Sequence, residues 1–414
     1  MSYRFQRLVS NPAAYLTQFY ARRPGLSERS YAEQHHAHMA NAMERSDSYS
    51  VELQKRGYET DEIIVDAAPL QYRWAYEHGL AVDDEHWMVD IALAQIRAFK
   101  PDVLFITTWL ADFGPEFIAR ARSIAPSIRL VIGWVGEARP RAGHFRAHDL
   151  ILTCAPDTMA FLQAQGIPAR HLNHAFDPRV LDRLAGESAP DKPLVDLGFI
   201  GHVFFGEQYH NTRAQILYEI AQRSPLTIYG SVSNITYQKK GLRRVARAGY
   251  YSLLDWLSQN DFGAFADRLP RAGGWRHARA REPYVAAFDF LRRCSKPPVY
   301  GLEMYATLSG FKVCLNAHGP SAYASNMRLF ESTGVGTALL TDWKSNLAQL
   351  FEPDVEVATY TCAAEAVEKA NYLLAHEDVR HAMAKAGQQR TLRDHTTAQR
   401  VEQLHDIITE WLSR

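Results

Sequence analysis

The sequence predicts an α/β protein of two domains, each built on a parallel sheet covered by helices, and three observations lead there. Short apolar runs of buried-strand type recur along the chain with helical stretches between them. Such alternation implies right-handed βαβ units and parallel pairing. Midway, Phe176 to Pro193 (FDPRVLDRLAGESAPDKP) is rich in proline and charge and carries no strand pattern, so it reads as a linker. At 414 residues the chain is long enough for two cores of ordinary size.

Taken in order, Tyr15 to Tyr20 (YLTQFY) alternates weakly and is expected to be the first strand, followed by the loop ARRPG. Ser30 to Gly57 carries a long helical pattern with a glycine stop, and YETDEIIVDA reads as a strand ending near Asp66. His86 to Lys100 is helical and Pro101 ends it. Val103 to Thr108 (VLFITT) is the clearest buried strand of this half. A helix over Pro115 to Ala125 follows, then strands at Arg129 to Gly133 and Leu150 to Cys154, then a helix over Asp157 to Gln165. In such sheets ligands bind at the carboxyl ends of strands. The loops Trp109-Leu110-Ala111-Asp112 and Trp134-Val135-Gly136-Glu137 are therefore candidates for a site.

The second series begins with the strand Val195 to Gly201 (VDLGFIG), a helix near Thr212 to Arg223 and the strand Leu226 to Gly230 (LTIYG). From Ser231 to Pro298 there is no clean strand. Helical segments there carry basic clusters and aromatic residues, without the regular stacking pattern of a nucleic-acid platform. The strand-and-helix pattern resumes at Gly301, and Cys362 to Arg414 is helical throughout.

The most informative stretch is Val313 to Asp342 (VCLNAHGPSAYASNMRLFESTGVGTALLTD), which reads as strand, loop, helix, strand. Ser325 or Asn326 is the expected helix N-cap, and Gly334 the stop. Backbone amides at Ala324, Ser325 and Asn326, with Arg328 in the first turn, would attract phosphate. Glu331 lies three residues after Arg328, where it either pairs with that arginine or accepts from a sugar or ribose hydroxyl. At the end of the strand Val195 to Gly201, the small residues of Gly198-Phe-Ile-Gly201 let the backbone approach a ligand, with His202 pointing into the interdomain cleft.

Composition and motifs exclude several classes. Lys+Arg and Asp+Glu both number 46, so no global charge points to nucleic acid or an anionic membrane. No apolar run approaches the ~20 residues that span a bilayer, and the N-terminus shows no signal-peptide h-region. Four dispersed cysteines form no C-x-x-C pair, which with the other signs suggests a cytoplasmic protein. Gly334-Val-Gly336 ends a helix and opens a strand, the reverse of a dinucleotide fingerprint. P-loop, nucleophile-elbow and D-x-D patterns are absent. His35, His36 and His38 share a helix but lack partners at metal-ligand spacing, so they read as ordinary helix histidines.

The segments PPVYGLEMYATLSGFKVCLNAHG (297–319), NMRLFESTGVGTALLTD (326–342), LFEPDVEVATY (350–360) and AGQQRTLRDHTTAQRVEQL (386–404) resemble the C-terminal half of GT-B glycosyltransferases, and most closely the CgeB-like, spore-maturation-type group. The resemblance implies two Rossmann-like α/β/α domains facing a cleft. The expected division is an acceptor-side domain over 1–175, a linker over 176–193 and a nucleotide-sugar domain over 194–395 with a helical insertion at 231–298. A last helix over 396–414 would cross back to the first domain.

It further implies transfer of a sugar from a nucleoside-diphosphate donor to an acceptor hydroxyl on a glycan, glycoconjugate or protein, with no metal or other cofactor. Donor contacts are expected from Gly201, His202, Tyr229, Gly230, Asn316, Ser325, Asn326, Arg328 and Glu331, with Tyr229-Gly230-Ser231 nearest the base. In related retaining enzymes a Glu at the position of Glu331 binds the donor ribose and is paired with an acid eight residues earlier; here that position is Tyr323. Asn316 or His318 is expected near the transferred sugar, and Glu137 or Asp112 to take the acceptor's proton. A nucleotide-sugar epimerase and a non-catalytic nucleotide- or glycan-binding protein remain as alternatives. The oligomeric state is not legible.

Overall fold

The structure is a computed structural model that describes residues 3–43, 46–108, 110–136, 140–186, 195–205, 208–234, 284–319 and 321–413, together with 250, 253–254, 256–257, 265 and 269. Its first sheet contains β1 (Arg4–Val9), β2 (Glu59–Ile64), β3 (Val103–Ile106), β4 (Leu130–Trp134), β5 (Leu150–Thr153) and β6 (Ala169–His171), in the order β2-β1-β3-β4-β5-β6. The second contains β7 (Val195–Ile200), β9 (Leu226–Tyr229), β11 (Ser295–Lys296), β12 (Phe311–Asn316), β13 (Ala338–Asp342) and β14 (Ala358–Tyr360), in the order β11-β9-β7-β12-β13-β14. A small pair, β8 (Val203–Phe205) and β10 (Val232–Asn234), stands beside it. Every pairing is parallel, as the alternation of strands and helices requires.

The expected first strand is corrected. Tyr15 to Tyr20 lies in a helix, Ala13–Ala21, whose Tyr15 and Phe19 are one turn apart and buried. The first strand is β1, RFQRLV, whose charges disguise it. Arg7 is buried at its centre, pairs with Glu62 of β2 at 2.6 Å, and the Ser50 hydroxyl donates to the same carboxylate at 2.7 Å. Burial pushes the Glu62 carboxyl up to about 7 even against Arg7. Ser30 to Gly57 is broken into two helices, Tyr31–Ala40 and Ser48–Gln54; Ser30 and Glu33 form a capping box at the first.

Elsewhere the apolar periodicity positions the elements. All four residues of β3 are buried, and the helix Trp87–Phe99 packs Ala92, Leu93 and Ile96 into one cluster with Leu104 and Ile106 before ending at Lys100. The linker is not structureless: a helix, Arg179–Gly186, lies within it. The stretch read as strand-free after Ser231 holds β10 and β11, and most of the intervening insertion lies outside the described residues.

Two chain passages join the sheets. Phe176 donates its amide to the His395 carbonyl and accepts from the Thr397 amide, both at 2.9 Å, so the linker runs beside the segment entering the last helix. That helix, Thr397–Leu412, packs Val401, Leu404, Ile407 and Ile408 into the core of the first sheet, and its Glu410 pairs bidentately with Arg170 at 2.6 and 2.7 Å.

A third contact fixes how the sheets face. The Asn41 carbonyl accepts from the Leu302 amide at 2.9 Å, and the rings of Tyr15 and Tyr300 lie 5.8 Å apart. Gly301 has φ +56°, and a side chain there would collide with Asn41. The helix Gly301–Ser309 runs toward the start of β12, so its first residues lie at the carboxyl edge of the second sheet. The helix Ala13–Ala21 leaves the carboxyl end of β1. Their contact brings the two carboxyl edges together.

Candidate active site

In the second sheet the chain lays β9 and β11 on one side of β7 and β12, β13 and β14 on the other. The crevice between the carboxyl ends of β7 and β12 is thus the topological switch point, where open α/β sheets bind ligands.

On the β12 side the loop is tied down by polar side chains. The His318 Nδ1 lies 2.7 Å from Asp342, whose carboxylate also accepts the His318 amide at 2.9 and 3.1 Å. The Lys344 ammonium reaches Asp342 at 3.2 Å and the Gly319 carbonyl at 2.7 Å. Burial alone would raise the Asp342 carboxyl; the hydrogen bonds and charges of His318 and Lys344 outweigh it and hold the carboxyl below its ordinary range. The other ring nitrogen, Nε2, is buried with no hydrogen-bond partner among the described residues. With Nδ1 engaged by Asp342, Nε2 is the ring nitrogen left for a ligand.

Asn316 donates to Thr341 at 3.0 Å and accepts from the Asn326 side chain at 2.8 Å, while the Tyr360 hydroxyl donates to the Asn316 carbonyl at 2.7 Å.

On the β7 side Gly201 and Gly230 are neighbours. The Gly201 amide donates to the Tyr229 carbonyl at 3.1 Å, and a Cβ on Gly230 would strike the Gly201 carbonyl oxygen. His202 Nδ1 contacts the Ser231 hydroxyl at 2.7 Å. Arg213, from the helix Gln208–Ala221, joins the two sides. Its guanidinium donates to the His202 carbonyl and lies 5.8 Å from the Phe199 ring. Burial lowers the His202 imidazole and the Arg213 charge lowers it further. Across the crevice, burial raises the Tyr360 phenol, the Asp342 charge adds to this, and Arg213 opposes it.

The structure therefore gathers Gly201, His202, Tyr229, Gly230, Asn316, His318 and Asn326 at one edge. It corrects the phosphate-binding helix. That helix begins at Arg328, not Ser325 or Asn326, with Met327 as the capping residue, and it is seven residues long. The Ala324 amide donates to Asn346 at 2.6 Å and is not free for a ligand.

Arg328 and Glu331 pair with each other at 2.9 Å, the plainer of the two readings of their spacing, and both side chains are largely buried. Arg328 also touches Met304 of the helix Gly301–Ser309 at 3.3 Å. Asp112 is exposed in the 3-10 turn Ala111–Phe113, and Glu137 lies outside the described residues.

Four members of the cluster were missed. Asp342 and Lys344 end and follow β13, Tyr360 ends β14, and Arg213 stands one turn into the helix after β8. Applying the strand-carboxyl-end rule to β13 and β14 would have found three of them. Among the described residues no three His, Cys, Asp or Glu side chains converge as a metal-ligand set, and no helix is long and apolar enough to cross a membrane.

Residues 213–406, just under half of the chain, match the family described as Glycosyl transferase-like. The structure is similar to that of Anabaena HepE in complex with UDP-glucose, at 9% identity over 99% of this chain and 100% of that one with a TM-score of 0.50. It is similar too to sucrose-phosphate synthase from Thermosynechococcus elongatus, at 11% identity, 99% of each chain and a TM-score of 0.51. A glycosyltransferase from Rickettsia africae gives 7%, 99% of each chain and 0.50. At these identities the likeness shows the fold, and the fold is GT-B.

Among curated proteins, inositol 2-dehydrogenase from Klebsiella pneumoniae is 24% identical over 110 residues, covering 25% of this chain. The chain spans about a third (32%) of the length of the curated relatives it matches. Gly334 and Gly336 close the helix Arg328–Gly334 and lead into β13, so they do not cradle a dinucleotide.

Proposed function

We propose that this chain is a glycosyltransferase of the CgeB-like group, acting in the cytoplasm, which moves a sugar from a nucleoside-diphosphate donor to an acceptor hydroxyl without a metal. The observation that carries the reading is the convergence of Arg213, Lys344 and the His318–Asp342 pair on the switch point between β7 and β12. A leaving diphosphate needs preorganised positive charge in a closed crevice. Arg213 and Lys344 supply it, held by the His202 carbonyl in one case and by Asp342 and the Gly319 carbonyl in the other. Arg328 adds charge from the β12 side, while its helix is too short to be the main source. His318 Nε2 then hydrogen-bonds a hydroxyl of the bound sugar. The UDP-glucose complex of HepE makes uridine nucleotides the first donors to try, and the glycosyltransferase-like match over 213–406 supports the same reading.

A melting screen against UDP, GDP, dTDP and their common sugars tests it. A ligand at 100 times its dissociation constant adds about 2.7 kcal/mol of stability, so one nucleotide should stand out by a few degrees. Arg213→Ala should cut that shift to half or less at the same ligand concentration. A wild-type protein unmoved by every diphosphate would refute the donor site.

A further inference from the structure

The first sheet has its own switch point. The chain passes from β1 to β2 on one side and then to β3 on the other, so a crevice opens outside the carboxyl ends of these three strands. Four polar residues converge there: Ser10 and Asn11 after β1, Asp66 after β2, and Thr108 after β3. Ser10, Asn11 and Thr108 are buried. The Thr108 hydroxyl donates to that of Ser10 at 2.8 Å, and the Asn11 amide donates to one Asp66 oxygen at 2.8 Å. The other, Oδ1, is buried and has no partner among the described residues. An unpaired buried carboxylate oxygen is costly, and a bound hydroxyl would satisfy it.

The place is right for a second substrate. The helix Ala13–Ala21 starts two residues beyond Asn11, and its Tyr15 touches Tyr300 at the carboxyl edge of the second sheet. The crevice therefore opens toward the proposed donor site. We infer that Asp66, with Ser10, Asn11 and Thr108, forms the acceptor pocket, and that Asp66 Oδ1 is the base that takes the acceptor hydroxyl's proton. Neither Asp112 nor Glu137 then has that role; Asp112 is exposed in its 3-10 turn, where its carboxylate stays solvated.

The inference rests on the glycosyl-transfer reading and completes it. The acceptor O–H bond breaks as its proton passes to Asp66, and the oxygen bonds to the anomeric carbon. The bond from that carbon to the diphosphate breaks, and the diphosphate leaves with the electron pair toward Arg213 and Lys344. Asp66 then returns its proton to water. With Asp66 as a general base the acceptor oxygen displaces the diphosphate in a single step, and the anomeric configuration inverts. Burial raises the Asp66 carboxyl to about 6, with the Asn11 amide and the residue's own amide opposing. A base of that strength is ionised at neutral pH and still accepts a proton readily.

The test uses the sugar nucleotide giving the largest melting shift in the screen, with water as acceptor. Asp66→Asn keeps an oxygen for the Asn11 amide but cannot take a proton. It should lower turnover by about 10²- to 10⁴-fold, leave the nucleotide's dissociation constant within about twofold, and lose the wild-type fall in rate below pH 6. Asp66→Glu should recover part of the rate, and NMR of fresh product should show the inverted anomer. Turnover by Asp66→Asn within threefold of wild type, a persisting acid limb, a retained anomer, or a wild type that binds nucleotide and hydrolyses none of it overturns the inference. Failure of every nucleotide to bind the wild type overturns the donor site itself, and the acceptor pocket with it.

Discussion

Arg328 and Arg213 show why two arginines near one site need opposite experiments. Arg328 pairs with a Glu331 side chain that is only 3% exposed, so Arg328→Ala leaves a carboxylate buried alone. Breaking a buried pair from one side costs about 3–5 kcal/mol. That variant should melt well below wild type, and its lost turnover would say little about catalysis. Arg213 is half-buried, and its named contacts are a backbone carbonyl and a ring face. If Arg213 holds the diphosphate, losing a charge-assisted contact of about 1.5–3 kcal/mol should lower turnover by one to two decades. Melting temperature and turnover measured on both variants separate the cases: no melting drop in Arg328→Ala, or wild-type turnover in Arg213→Ala, would reverse the assignment.

Among the elements, the ones that escaped the sequence share a physical cause. Strand β1 carries Arg7 where a buried apolar residue is expected, and β2 answers with Glu62; each charge is sensible only once the other is beside it. Pairing between residues 55 apart leaves no periodicity to read. The short strands β6 and β14 have three residues each, too few for a pattern. Elements such as β3 and β12 were legible because burial on both faces demands a continuous apolar run. The site divides the same way. Asn316 and His318 follow a legible strand, whereas Asp66, Ser10 and Thr108 are brought together only by the order of β2, β1 and β3.

The β7–β9 contact supplies a prediction at this scale. Gly230→Ala would push a methyl group into the carbonyl of Gly201, backbone against backbone, where no side chain can turn aside. It should lower the melting temperature and weaken nucleotide binding together, because both glycines line the proposed donor crevice. An alanine variant with wild-type melting would mean that the two loops separate without cost.

At the scale of the whole molecule, the crossing of the linker and the last helix governs how the domains stay joined, and a buried histidine sits at that crossing. His395 Nε2–H donates to the Leu350 carbonyl at 2.8 Å, and its Nδ1 accepts from Arg400 at 2.9 Å. Arg400 in turn donates to the His174 carbonyl at 3.1 Å. Burial depresses the His395 imidazole to about 4, with Arg400 adding to the effect and the Leu350 carbonyl opposing. A depressed folded value means that the neutral ring is the folded form. Below pH 6.5 the unfolded chain takes up a proton that the folded one refuses, so this contribution to stability is lost as pH falls from 6.5 toward 4. The slope is about 1.4 kcal/mol per pH unit for one proton. His38 and His148, lowered by burial to about 3 and 4, add to it, while Glu62 and Asp66, raised by burial, act in the opposite sense. The wild-type acid slope is therefore a sum, and a difference isolates one group. His395→Gln offers an amide N–H to Leu350 and an oxygen to Arg400, and does not titrate. Between pH 6.5 and 5 its stability, followed by denaturant unfolding, should fall less steeply than that of wild type by close to one proton. Parallel slopes would show that His395 charges freely in the folded chain, and that the crossing does not hold it neutral.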